Sequence, residues 1–189
     1  MSTAAAIAAS NTDAGVDLIT DRDRVHLAEL VARLGAALDE HRFDVLRELF
    51  TDDATATTPG GTAEGRDAVI AQATRNHVGF ERLHHVMTNV IVDEGSSPTP
   101  RVRTAEVRAN LIAHFAHADG VPVQVIGAVY RFGVRETPAG WRIAGLRVTP
   151  TWRTGGAGPT PAPVVEPASG SAAAAPLAAP APAPAPAAA

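Results

Sequence analysis

Cysteine is absent from this 189-residue chain, which excludes disulfides, a reactive thiol and thiolate metal ligation. Aromatic residues make up only 4 % of it, with a single tyrosine, so a site built on several phenols is excluded as well. Positive charge is scarce and scattered. The formal net charge is −4, and no basic cluster offers a footprint for nucleic acid. The first dozen residues, "MSTAAAIAASNT", are too short to span a bilayer and lack the basic start of a secretory signal. With no cysteine to defend in an oxidising compartment, a cytoplasmic protein without nucleic-acid or membrane partners is expected.

Two further patterns are missing. There is no H-E-x-x-H, and His114 and His117 flank a turn, so no metal site is expected. No phosphate-cradling or dinucleotide glycine motif occurs either, since "TPGGTAEG" does not sit between a strand and a helix in the required way. No cofactor is therefore expected.

What is present divides the chain in three. Residues 1–16 read as a flexible N-terminus and residues 156–189, almost wholly Ala, Pro, Gly and Ser, as a disordered tail with too little apolar bulk to offset its ordering entropy. The span 17–155 is long enough to bury one core. In "LITDRDRVHLAELVARLGAALDEH", Leu27, Leu30, Val31, Leu34 and Leu38 recur at helical spacing, with Thr20 placed to cap and Asp21 and Asp23 in the first turn. Gly35 interrupts this helix at a cost of about 1 kcal/mol relative to alanine, as happens where another backbone or a ligand comes close. "RFDVLRELFTDD" reads as a second, shorter helix, "ATATTPGGTAEG" as a short β-prone, turn-rich link and "GRDAVIAQATRNHVGF" as a third helix with Val69, Ile70 and Ala73 on one side.

Strands follow from Leu83 onward. They are "LHHVMTNVIVD", "RVRTAEVRANLIAHF", "VPVQVIGAVYRFGVRE" and "WRIAGLRVTPTWR", the last bent at Pro150. Three N-terminal helices packed on one face of a mixed, mainly antiparallel, strongly curved sheet predict an α+β cone that encloses a pocket. Period two puts His85, Met87, Asn89 and Ile91 on one face of the first strand, and His84, Val86, Thr88, Val90 and Val92 on the other. The second face is the more apolar and suits the helix-covered core. The mixed face of His85 suits a polar-seeded pocket, although one bulge would exchange the two histidines.

Candidate chemistry rests on few groups. Asp39 closes the first helix, where a carboxylate opposes the macrodipole, and that small penalty points to another duty. Glu106, Arg108 and Asn110 make a polar line that either meets water or lines a cavity. In a cavity, burial would raise Glu106 toward the range of a general acid or base. A histidine with a carboxylate in an apolar cavity can move a proton to or from carbon or oxygen. Tyr130 can donate one hydrogen bond toward a developing enolate or pack in a core. Trp141 reads as structural, and Trp152 as a lid or a rim residue.

"LGAALDEHRFDVLRELFTDDATATTPGGTAEGRDAVI", "LHHVMTNVIVD" and "GWRIAGLRVTPTW" together resemble SnoaL-like proteins of the NTF2-like superfamily. The resemblance implies a cone-shaped barrel and a homodimer through the open sheet face. Its members include polyketide cyclases, scytalone dehydratase, steroid delta-isomerases, dioxygenase small subunits and proteins that only bind. Asp39 matches the helix-end aspartate of the dehydratase, and His85 the strand histidine that pairs with it. The dehydratase's second histidine falls near Glu106, and the tyrosine before its aspartate is Leu38 here. The implied catalytic set is Asp39 and His85 with Glu106 as a third member. Met87, Asn89, Arg108, Tyr130 and Trp152 are the candidates for contacting a small hydrophobic, polyketide-like ligand. A ligand-binding or assembly protein, and a structural subunit of a larger complex, remain the alternatives.

Overall fold

A computed structural model describes residues 18–97 and 102–155. The expected tails, residues 1–16 and 156–189, and the turn prolines Pro98 and Pro100 lie outside the described residues. The first helix, α1 (Asp21–Asp39), starts as its sequence dictates: Thr20 Oγ1 accepts from the Asp23 N–H at 3.2 Å, and the Asp23 carboxylate accepts from the Thr20 N–H at 2.9 Å. This reciprocal cap satisfies N–H groups that have no partner inside the helix. The whole apolar stripe is buried, from Leu27 at 0 % exposure to Leu30 at 7 %. Gly35 packs against β3 (Arg82–Glu94), yet a Cβ built there would stand 3.6 Å from the His85 carbonyl oxygen. Alanine would fit at ordinary van der Waals contact, so the approach at Gly35 does not demand glycine.

After α1 the structure departs from expectation. The second helix, α2, spans only Leu46–Leu49, and the chain then enters strand β1 (Phe50–Thr58), which turns into β2 (Gly61–Glu64) before helix α3 (Arg66–His77). The presumed link is thus a β-hairpin, and two strands precede the third helix. β1 has little apolar bulk of its own. It is held by pairing with β6 (Gly140–Gly155), with Phe50 opposite Ile143 and Ala56 opposite Leu146. The remaining strands are β4 (Thr104–Ala116) and β5 (Pro122–Thr137).

All six strands form one sheet in the order β2-β1-β6-β5-β4-β3. The β1–β6 pair is parallel and the others are antiparallel. This corrects the expected cone-shaped barrel. The mixed, mainly antiparallel pairing is as expected, but β2 and β3 are free edges with no bond between them, so the sheet is open, and closure would require those edges to meet. Helices α1 and α3 cover one face, onto which β4 directs Val107, Ala109, Leu111, Ala113 and Phe115, each no more than 7 % exposed.

The faces of β3 also need correcting. His85 and Met87, not His84 and Val86, point under the helices: His85 is 8 % exposed, whereas His84 and Val86 face outward. The register slips between Thr88 and Ile91, which pair with Asn110 and Arg108. Asn89 takes a left-handed φ of 53° in this bulge, a conformation asparagine tolerates better than most residues. Beyond it Val90 and Val92 turn inward, so the residues that period two groups with His84 lie on the His85 side once the extra residue has intervened.

At the other end of α1, Asp23 is buried and accepts from Trp141 Nε1 at 2.9 Å and from Arg103. Burial alone would raise its carboxyl. The bonds from Arg103, Thr20 and Trp141 outweigh that and hold it far below the usual carboxylate range. Arg103 in turn lies over the Trp141 ring, 5.4 Å from its centroid, and bonds Glu136 at 3.0 Å. Asp23→Asn would remove one of the anions that Arg103 bonds and weaken the side-chain half of the cap, at a cost of about 2–4 kcal/mol. Urea denaturation near neutral pH measures this. A loss under about 0.5 kcal/mol would place the pair with ordinary surface ion pairs.

Candidate functional site

Between α1, α3 and the covered sheet face lies a cavity of about 360 Å³. Its walls are largely apolar, with Leu38, Phe50, Leu111, Ala128, Leu146 and Val148 among them. His77, His85 and Tyr130 supply polar atoms from within, and Asn76, Gln124 and Arg153 bring polar groups from less buried positions. This is the form of a small-ligand site. A larger, more open groove of about 630 Å³ runs past Asp23, Arg103 and Glu136, but those charges already engage one another.

Asp39 and His85 meet at the wall of the cavity. His85 Nδ1 lies 2.6 Å from Asp39 Oδ1, and the His85 backbone N–H reaches the same carboxylate at 2.9 and 3.0 Å. Burial works to raise the Asp39 carboxyl. The ring and backbone bonds from His85, with the charge of His85 and His84, reverse that and lower it below its ordinary value. An ionised carboxylate only accepts, so His85 Nδ1 carries a hydrogen and Nε2 is the ring atom that can gain or lose a proton.

A second histidine completes the arrangement. His77, the last residue of α3, is 8 % exposed, and its Nδ1 lies 2.7 Å from the Ala73 carbonyl oxygen. A carbonyl oxygen also only accepts, so this Nδ1 is the donor. The two Nε2 atoms, of His77 and His85, stand 3.3 Å apart. Phe115 packs against both rings, its centroid 5.9 Å from each. Sequence reasoning missed His77. The signal was there, because positions 69, 73 and 77 share one helical stripe, and a histidine continuing the line of Val69 and Ala73 is directed at the core.

The other candidates are dispersed. Tyr130 lines the cavity, and burial pushes its phenol well above the ordinary value, so it stays a neutral donor. Glu106 lies on the opposite, outward face of the sheet, beside Asp93 and Gly133; there it loses part of its hydration and its carboxyl is raised. Arg108 shares that face beside Ile91 and Arg131. The reason is alternation: Ala109, Leu111 and Ala113 face the helices, so the polar line between them must face away. Met87 packs beneath α1, its Cε 3.7 Å from where a Cβ on Gly35 would stand, rather than in the cavity wall. Asn89 is exposed in the bulge. Trp152 is 47 % exposed and lies across Gly127, where any Cβ would collide with its ring at 2.1 Å. Neither lid nor cavity contact, it covers a gap in the outer face.

A family model described as "SnoaL-like domain" matches residues 20–147. No curated protein matches the chain. Among solved structures, a candidate scytalone dehydratase of Novosphingobium aromaticivorans DSM 12444 is 21 % identical, with a TM-score of 0.62 over 74 % of this chain and 91 % of its own. A hexachlorocyclohexane dehydrochlorinase of Novosphingobium barchaimii LL02 is 18 % identical, with a TM-score of 0.60 over 75 % of this chain and 95 % of its own. An NTF2-like protein with a cystatin-like fold from Novosphingobium aromaticivorans is 25 % identical, with a TM-score of 0.57 over 69 % and 82 %. These likenesses establish a shared fold. No helix among the described residues is long and apolar enough to cross a membrane.

The buried histidine has a consequence for stability. Burial pushes His77 from its ordinary 6.5 down to about 4; the Ala73 carbonyl opposes this and the charge of His85 adds to it. Between those two values the unfolded chain binds a proton at His77 that the folded chain refuses. Stability therefore falls as pH drops from about 6.5 to 4, by on the order of 3 kcal/mol. Asp23 and Asp39, both lowered, lose their contributions only below their ordinary 3.8. Urea midpoints taken across the window should decline in the wild type and stay flatter in His77→Phe, whose ring keeps the stacking on Phe115. An equally steep decline in the variant would assign the effect to another group.

Proposed function

The chain belongs to the SnoaL-like domain family, and we propose that it is an enzyme that moves protons on a small, hydrophobic, oxygen-bearing substrate without a cofactor. One observation carries this reading: the 2.6 Å contact between Asp39 Oδ1 and His85 Nδ1 at the wall of an apolar cavity. His85 Nε2 is the atom at which the proton moves. In its neutral form the ring takes a proton from a carbon beside a carbonyl, and Asp39 stabilises the imidazolium that results. The negative charge then gathers on the carbonyl oxygen, for which the Tyr130 hydroxyl is the available donor.

The fate of that proton decides the reaction. Its return to a different carbon is an isomerisation. Its delivery to a departing hydroxyl is a dehydration, and attack of the enolate on a second carbonyl closes a ring. The apolar lining supports a substrate of polyketide-like character, a carbon skeleton with few oxygens. A binding protein without turnover is the second reading, and one observation favours it: His85 Nε2 faces His77.

Exchange of carbon-bound hydrogen separates the two. A panel of small cyclic ketones and hydroxyketones is incubated with the protein in deuterated buffer and followed by NMR. Deuterium should enter at carbons next to the carbonyl, and His85→Gln or Asp39→Asn should slow this by about 10²-fold or more. Ligands that bind without exchange, or exchange indifferent to His85→Gln, would leave the binding reading in place.

A further inference from the structure

We propose that a single proton is shared between Nε2 of His77 and Nε2 of His85, which makes His77 the positioning residue that holds His85 in its charged form. This rests on the proton-transfer reading of the same site. The argument is an inventory of hydrogens. His85 Nδ1 donates to Asp39 and His77 Nδ1 donates to the Ala73 carbonyl. If both rings were neutral, two lone pairs would confront each other at 3.3 Å inside a buried cluster. One proton between them turns that repulsion into an N–H···N bond. The ring centroids, 5.2 Å apart and tilted by 48°, let the rings meet through their edges.

The surroundings decide which ring holds the charge. Asp39 lies against His85, so an imidazolium there is neutralised at contact distance. Around His77 stand the Ala73 carbonyl, the rings of Phe115 and His85, and His41 from the turn after α1, which opposes a second cation. From β3, His84 acts on Asp39 through space. With the shared proton in place the site at rest is Asp39 carboxylate, charged His85 and neutral His77, and His85 Nε2 must release that proton, to a ligand oxygen or to solvent, before the neutral ring can act as the base. A ligand oxygen accepts from His85 Nε2 in place of His77, whose ring stays anchored to Ala73.

A divalent cation is the one competitor for the same pair of lone pairs. Tetrahedral ligation at about 2.0–2.1 Å would hold two nitrogens roughly this far apart, with their other N–H groups bonded as they are here. Yet no third histidine, cysteine or carboxylate joins them among the described residues, and Asp39 is committed to His85 Nδ1. Two ligands fall short of the three or four that zinc sites use, so the proton is favoured.

The test is ¹⁵N NMR of the full chain, labelled at the imidazole nitrogens, treated with chelator and held near pH 7. The expected spectrum has one protonated and one unprotonated Nε2, joined by a nitrogen–nitrogen coupling across the hydrogen bond. His77→Phe should abolish the coupling and leave His85 Nε2 without its proton. Two uncoupled, unprotonated Nε2 signals would overturn the proposal. So would signals that move together when stoichiometric zinc is added and return on chelation. Should His77→Phe not fold, the wild-type spectrum decides alone. No substrate is needed, so the two claims fail separately. Coupling without catalysed exchange refutes only turnover, and His85-dependent exchange without coupling refutes only the shared proton.

Discussion

The carboxylate of Asp39 is the constraint on which the site depends. It receives both the backbone N–H and the ring N–H of His85, and thereby ties the C-terminus of α1 to the first part of an edge strand. The backbone bond fixes the strand against the helix. The ring bond fixes the tautomer and aims Nε2. A single side chain thus sets the packing of an element and the proton inventory of the cavity, and neither could change without the other.

The two ends of α1 show why this looks like a functional choice. Asp23 at the N-terminus is an anion where the helix dipole favours one, and it gains a cap, an arginine and an indole N–H besides. Asp39 sits at the C-terminus, where the dipole disfavours it. It is retained there by two donors from one histidine. Both carboxylates are lowered by their partners against the effect of burial, but only Asp39 faces a residue that lines the cavity. The first anchors the fold, and the second gives up a little stability to fix the orientation of a ring that lines the cavity.

How much of this was legible follows the range of each interaction. The α1 stripe, the Thr20 cap and the oddly placed anion Asp39 were readable, because period, capping chemistry and an anion at a helix C-terminus are local signals, whereas the pairing of Asp39 with His85 came from the family resemblance. β1 was legible only in part: "ATATT" is β-prone, but "DDATATT" lacks the bulk of a core strand and owes its place in the sheet to β6, which is distant in the chain. The burial of His85 in place of His84 turns on one extra residue at Asn89 and Val90, which no periodicity of the intact run reveals. Glu106 failed for the same reason in reverse. Its strand alternates faithfully, and that alternation takes it away from the cavity. The cone was an inference from helices packed on a sheet taken to be strongly curved and from family resemblance, and the free edges of β2 and β3 show that order of elements does not determine closure.

The central claim, that Asp39 holds the ring of His85 in place through Nδ1–H, can be tested without any ligand. A proton NMR spectrum of the protein in water should contain a low-field, slowly exchanging resonance from the hydrogen between Asp39 Oδ1 and His85 Nδ1, and Asp39→Asn should remove it or shift it strongly upfield. A spectrum with no such resonance in the folded protein, or one in which Asp39→Asn leaves it unmoved, would contradict the account.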